Sequence, residues 1–84
     1  MSFIDREGNP VNTSYEAEEQ FLVRTYLPKD AHVLELGARY GTVSCVISDV
    51  LNDSTKHVAV EPDNSVIEAL EYNKRTHDAK FRIF

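Results

Sequence analysis

The stretch Val33-Leu34-Glu35-Leu36-Gly37-Ala38-Arg39-Tyr40-Gly41-Thr42 constrains the fold more than any other part of the chain. An apolar run of strand length leads into a turn bounded by two glycines, and an amphipathic helical pattern starts directly after it. Gly37 lets the chain turn at the strand end with no Cβ in the way. Gly41 lets the first helical turn approach the strand or a ligand. Amides at a helix start lack intrahelical partners and carry partial positive charge, so they favour polar or anionic ligand atoms. A nucleotide-type ligand suits such a turn, although G-A-R-Y-G falls short of the G-x-G-x-x-G spacing of dinucleotide sites.

The segments around this turn read as alternating helices and strands. Residues 1–12 contain Gly8-Asn9-Pro10 and form an irregular lead-in. Residues 13–27 read as a leading helix, with Thr13 and Glu16 at capping-box spacing and Phe21, Leu22, Tyr26 and Leu27 as its apolar side. Residues 31–36 make the first strand, which is apolar enough to be covered on both faces. A helix over 42–52 follows, its stripe formed by Val43, Val46, Ile47, Val50 and Leu51. Cys45 sits off the centre of that stripe and reads as a plain buried thiol. A second strand over 57–61 leads to a third helix, which the capping-box spacing of Ser65 and Glu68 opens and which runs to about residue 76. Residues 79–84 alternate Phe81 and Ile83 with Lys80 and Arg82, a strand with one wetter face. The order strand, helix, strand, helix, strand over 31–84 makes two right-handed βαβ units in one small α/β domain spanning 1–84.

Two acids narrow the chemistry. Glu35 lies inside the first strand between two leucines, where a carboxylate has to be paired or face a polar ligand. Glu61 closes the second strand ahead of Pro62 and Asp63, and an acid there takes ribose hydroxyls in nucleotide-binding βαβ units. As an acid at a strand end, Glu61 is expected to be removable with the fold largely intact. Asp63 and Asn64 either reach the adenine end of a cofactor or cap the third helix.

At these residues the chain resembles the S-adenosylmethionine-dependent methyltransferases, and among them the FkbM-type O-methyltransferases. Glu35, Gly37, Ala38 and Gly41 match that family's acid-x-Gly-Ala-x-x-Gly loop, Glu61-Pro62 its Glu-Pro pair, and Leu70 with Asn73 its Leu-x-x-Asn signature. The chain departs from the pattern at Glu35 (Asp is commoner), Arg39 (Asn) and Tyr40 (a small aliphatic). The resemblance covers roughly residues 15–84. It implies a partial Rossmann-like, class I methyltransferase fold with parallel strand order 3-2-1, whose remaining strands lie outside this chain. It also implies S-adenosylmethionine as cofactor, held by Glu35, Gly37, Ala38, Arg39, Tyr40, Gly41, Glu61, Pro62 and Asp63. Glu61 would bind the ribose, Gly37-Ala38 would line the methionine portion, and Glu35 would orient the loop or meet the methionine amine. The reaction it implies is methyl transfer to a hydroxyl on a sugar or other small molecule. The chain would carry the cofactor-binding half of the enzyme and be inactive alone.

Composition sets outer bounds. The net charge of −5 and pI near 5.0 argue against nucleic acid as the partner, and no run of lysines and arginines forms a stripe. No apolar stretch approaches the roughly 20 residues of a membrane span, and residues 1–12 lack the apolar core of a signal peptide. One cysteine suits a reducing compartment, so a soluble cytoplasmic protein is expected. His32, His57 and His77 show no metal-ligand spacing with Cys45 or one another, and no pattern singles out a general base.

An order of 3-2-1 leaves the first strand with an open edge, which invites self-association or pairing with another polypeptide. Two other readings compete: a non-catalytic remnant acting as an interaction module, and half of a nicotinamide dehydrogenase. The second of these wants a stricter glycine pattern and has no use for Glu35.

Overall fold

The computed structural model describes residues 2–12 and 14–84. Its elements run α1 (Ala17–Tyr26), β1 (Val33–Leu36), α2 (Thr42–Val50), a 3-10 turn (Ser54–Lys56), β2 (His57–Val60), α3 (Asn64–Thr76) and β3 (Arg82–Ile83). The strands form one parallel sheet with β2 in the centre, the order expected. Val33 stands opposite His57, Leu36 opposite Val60, and Val58 opposite Arg82. β3 is shorter than its alternating pattern, but Phe84 extends the pairing: its amide donates to Ala59 O (2.8 Å), and its carbonyl accepts from Glu61 N (2.7 Å). No described helix is long and apolar enough to cross a membrane.

Side chains alternate across a strand, so His57, Ala59 and Phe81 point to one face of the sheet and Leu34, Leu36 and Phe84 to the other. The first three are fully buried, against Leu70, Ala38, Cys45 and Ala79 in the main core cluster or, for His57, against Phe81. The second three are 68%, 75% and 70% exposed. β1 is therefore covered on one face, not on both. The leading helix does not supply the second cover, because α1 packs against α2.

α1 also turns differently from its sequence pattern. Gln20, Val23 and Leu27, at i, i+3 and i+7, form its half-buried side, while Phe21, Leu22 and Tyr26 face outward. A hydrogen bond from Thr42 Oγ1 to Glu16 Oε1 (2.7 Å) ties the start of α1 to the start of α2 and fixes that rotation. The helix begins at Ala17, after Glu16 in a left-handed conformation (φ 57°) with no side-chain cap. Thr13, the proposed capping residue, lies outside the described residues.

α2 is buried over a wider arc than its apolar stripe, because it carries α1 as well as the sheet. Ser44, Cys45, Val46 and Ile47 are buried, whereas Val43 and Val50 are half-buried. Burial, with Asp49 and Glu35 nearby, pushes the Cys45 thiol up to about 12, so it is an inert core group. α3 opens two residues earlier than its Ser65-Glu68 spacing predicts. Asp63 is the capping residue: its Oδ1 accepts from Ser65 N (2.9 Å) and Ser65 Oγ (2.7 Å). An aspartate at this position satisfies a helix-start amide and places negative charge at the positive end of the helix.

The lead-in contains no helix, yet it is folded. Val11 N donates to Phe3 O and Asp5 N to Asn9 O, closing a hairpin-like turn around Gly8 (φ 83°). Ile4 and Val11 pack on Tyr40, Val66 and Ala69, and Phe3 stacks on His77 with ring centres 4.0 Å apart. The hairpin thus seals the outer side of α3 next to the loop after β1.

Candidate functional site

The site residues named from the sequence gather at the carboxyl ends of β1 and β2, the end at which open α/β sheets bind ligands. Gly37 and Ala38 both donate to Val60 O (2.8 and 3.2 Å), so the turn after β1 folds across the end of β2. Gly37 has φ 80°, and a Cβ there would meet nothing within 4 Å. Its requirement for glycine is conformational, and the space above it is open to a ligand. Gly41 differs. It has φ 86° at the start of α2, and a Cβ would come within 3.0 Å of Leu70 Cδ1. Its close approach is to α3 and not to a ligand.

Ala38 and Tyr40 turn their side chains inward, at 2% and 7% exposure. The bulk of Tyr40 therefore fills the space between α3 and the hairpin and stays off the ligand side of the loop. Arg39 adopts φ 50° and lays its guanidinium 5.2 Å from the centre of the Tyr40 ring.

Glu61 holds the two loops together. Its Oε1 accepts from Arg39 N (2.7 Å) and its Oε2 from Asp63 N (2.9 Å). At 7% exposure it is a buried brace, so removing it would disturb both turns; the expectation of a freely removable strand-end acid does not hold. A carboxylate has about four acceptor positions, and two amides leave the others for hydroxyl donors. Pro62 is exposed between these anchored neighbours. Asp63 is held below the usual carboxylate range by the hydroxyl and amide of Ser65, with Arg6 and Arg39 adding to the effect.

Glu35 is paired within the protein. Its Oε1 accepts from Ser44 Oγ (2.6 Å) and lies 3.0 Å from Nε2 of the fully buried His57. The strand acid thus links β1 to β2 and α2 beneath the turn, which fits a role in orienting the loop. At the other side of the turn, Glu16 sits against Thr42, the first residue of α2. The helix start offered to an anionic ligand atom therefore already has a carboxylate beside it.

Asn73, fully buried, was named in the sequence only as part of a signature. Its Nδ2 donates to Tyr40 O (2.8 Å) and Ile4 O (2.9 Å), and its Oδ1 accepts from Ile4 N (3.0 Å). A polar residue three positions after Leu70 and seven after Val66, on the inward face of α3, is the pattern that marks it. His57 as the partner of Glu35, and Arg6 at Tyr40 Oη, have no such local signal.

No family model matches the chain, and no curated protein does. Among solved structures, the chain is similar to one described as a "putative O-methyltransferase" from Klebsiella pneumoniae, with a TM-score of 0.62 and 18% identity. That match covers 87% of this chain and 34% of the other, so the chain spans about a third of that protein's length. The likeness shows the fold, a methyltransferase-like, partly Rossmann-like α/β arrangement.

Proposed function

We propose that the chain is the cofactor-binding half of an S-adenosylmethionine-dependent methyltransferase of the FkbM type, acting on a hydroxyl of a sugar or other small molecule. The observation that carries this reading is the charge around the turn. Glu61 braces it from one side and Glu16 stands at the start of α2 on the other. A pyrophosphate brought to that helix start would meet the Glu16 carboxylate, whereas a cofactor without phosphates, whose carboxylate is offset by sulfonium and ammonium charges, would meet less repulsion from it. This separates the reading from a nicotinamide dehydrogenase.

The residues fit such a group. Glu61, fixed by two amides, keeps acceptor positions for ribose hydroxyls, and the open space over Gly37 admits the methionine portion beside the Gly37-Ala38 backbone. When bound, the cofactor supplies an electrophilic methyl group for in-line transfer to the acceptor oxygen. The chain's own contribution is to hold and orient. Glu35, through Ser44 and His57, keeps the strand end under the turn in register, and Arg39 and Asp63 cover the Glu61 carboxylate.

Calorimetry with S-adenosylhomocysteine and with NAD tests the reading. The chain should bind the former in preference, and Glu61→Gln should weaken that binding by about 1.5–3 kcal/mol, tenfold or more. Tighter binding of NAD would move the chain to the dehydrogenase class. Undiminished binding by a folded Glu61→Gln would leave Glu61 as a brace alone.

A second reading, an interaction module, draws on a separate observation: Leu34 and Leu36 are exposed on β1, the strand with the free outer edge, and Phe84 is exposed on the same face of the sheet. Light scattering on the purified chain distinguishes a self-associating species from a monomer.

A further inference from the structure

Five hydrogen bonds make a ring around the two loops of the site. Arg39 N donates to Glu61 Oε1 (2.7 Å), and Asp63 N to Glu61 Oε2 (2.9 Å). Ser65 Oγ donates to Asp63 Oδ1 (2.7 Å). Arg6 then donates from Nη1 to Ser65 Oγ (2.9 Å) and from Nε to Tyr40 Oη (3.3 Å). Tyr40 adjoins Arg39 in the chain, so the circuit closes. Every member but one belongs to the turn after β1 or to the β2–α3 junction. The exception is Arg6, which comes from the N-terminal hairpin.

We propose that Arg6 is a positioning residue of the cofactor site: by closing the ring it sets the spacing between the turn after β1 and the turn after β2. The proposal rests on the methyltransferase reading for what the opening between the turns holds, but the coupling itself does not need a ligand. Without Arg6, the Tyr40 and Ser65 hydroxyls are joined only through the far side of the ring, and the outer parts of the two loops are held by Glu61, while the Val60 carbonyl and Asn73 still anchor the base of the turn after β1. The guanidinium suits this role because Nε and Nη1 donate in different directions from one rigid plane, which an ammonium cannot do. Its position is itself fixed, since the hairpin that carries it is anchored by Asn73 and by Ile4 and Val11 against Tyr40, Val66 and Ala69. Arg6 is exposed, so its removal leaves that packing in place.

The test uses the whole chain. In Arg6→Ala, amide exchange at Arg39 should speed up several-fold with the β2 amides unchanged, and S-adenosylhomocysteine should bind about three- to tenfold more weakly. Tyr40→Phe, which removes only the hydroxyl, should reproduce the exchange effect, and the double variant should add little to either single change. Arg6→Lys should fail to restore the slow exchange. Unchanged exchange at Arg39 in Arg6→Ala, or full additivity of the two changes, would overturn the proposal. Exchange that responds as expected in a chain that does not bind S-adenosylhomocysteine would uphold the positioning role and remove the methyltransferase reading.

Discussion

The two faces of the sheet are built from similar residues and end in opposite states. On one, His57, Ala59 and Phe81 are sealed from water by α2, α3 and the loops between them. On the other, Leu34, Leu36 and Phe84 lie mostly in solvent. Hydrophobicity along a strand therefore says which side chains need cover, not whether this chain provides it. The covered face also carries the polar joints that shape the site, such as the Glu35–His57 pair. The open face carries mostly apolar groups, with Arg82 laid over Phe84 as its charged exception.

The largest expected contrast is in stability. Phe81→Ala, at a fully buried position, should cost about 3–5 kcal/mol, enough to unfold most of a small domain, while Leu36→Ala on the open face should stay within about 0.5 kcal/mol. Urea titrations of the two variants measure it. Similar losses at both positions would mean that the open face is covered in solution.

Association comes next. Exposed apolar side chains beside a free strand edge should draw copies together, so light scattering of the chain should show a species larger than a monomer at high concentration. A Leu34→Lys, Leu36→Lys double variant should shift that distribution toward monomer with its unfolding midpoint nearly unchanged. A wild-type chain that stays monomeric would leave the edge without a role in self-pairing.

The smallest effect concerns the thiol on the covered side. Cys45 is pushed from its ordinary 9.0 to about 12 chiefly by burial. Below pH 9 both folded and unfolded chains keep the proton. Between 9 and 12 the unfolded chain loses it first, so this contribution to stability declines as pH rises through that window. Denaturant midpoints should fall less steeply above pH 9 in Cys45→Ala than in the parent, and thiol labelling of the folded chain at pH 8 should be slow. Fast labelling would show that the covered side opens readily.

Much of the fold was legible because the pattern is local. The third helix with Val66 and Leu70 inward and the turn bounded by Gly37 and Gly41 follow from periodicity and glycine placement, whereas the strand order comes from the family resemblance. What escaped depends on contacts distant in sequence. The rotation of α1 is set by Glu16 meeting Thr42, which no helical period within residues 13–27 reveals. The pairing of Glu35 with His57 joins neighbouring strands, and its existence turns on a register that Glu35 alone does not announce. Glu61 was placed correctly at the end of β2, but its burial comes from amides in two different loops. The lead-in looked irregular because its order is supplied by α3.

Asn73 treats Ile4 as a neighbouring strand would, giving its amide an acceptor and its carbonyl a donor across 69 residues of sequence. A contact that distant closes a long loop and brings no return until both ends are in place. During synthesis the hairpin is made well before its anchor exists. The Ile4 amide and carbonyl must therefore wait for α3 to be made before they meet Asn73. The Tyr40 carbonyl depends on the same amide, so the turn after β1 is completed late as well. Maturation of the site is thus timed by the third helix, although most of its residues come earlier in the chain.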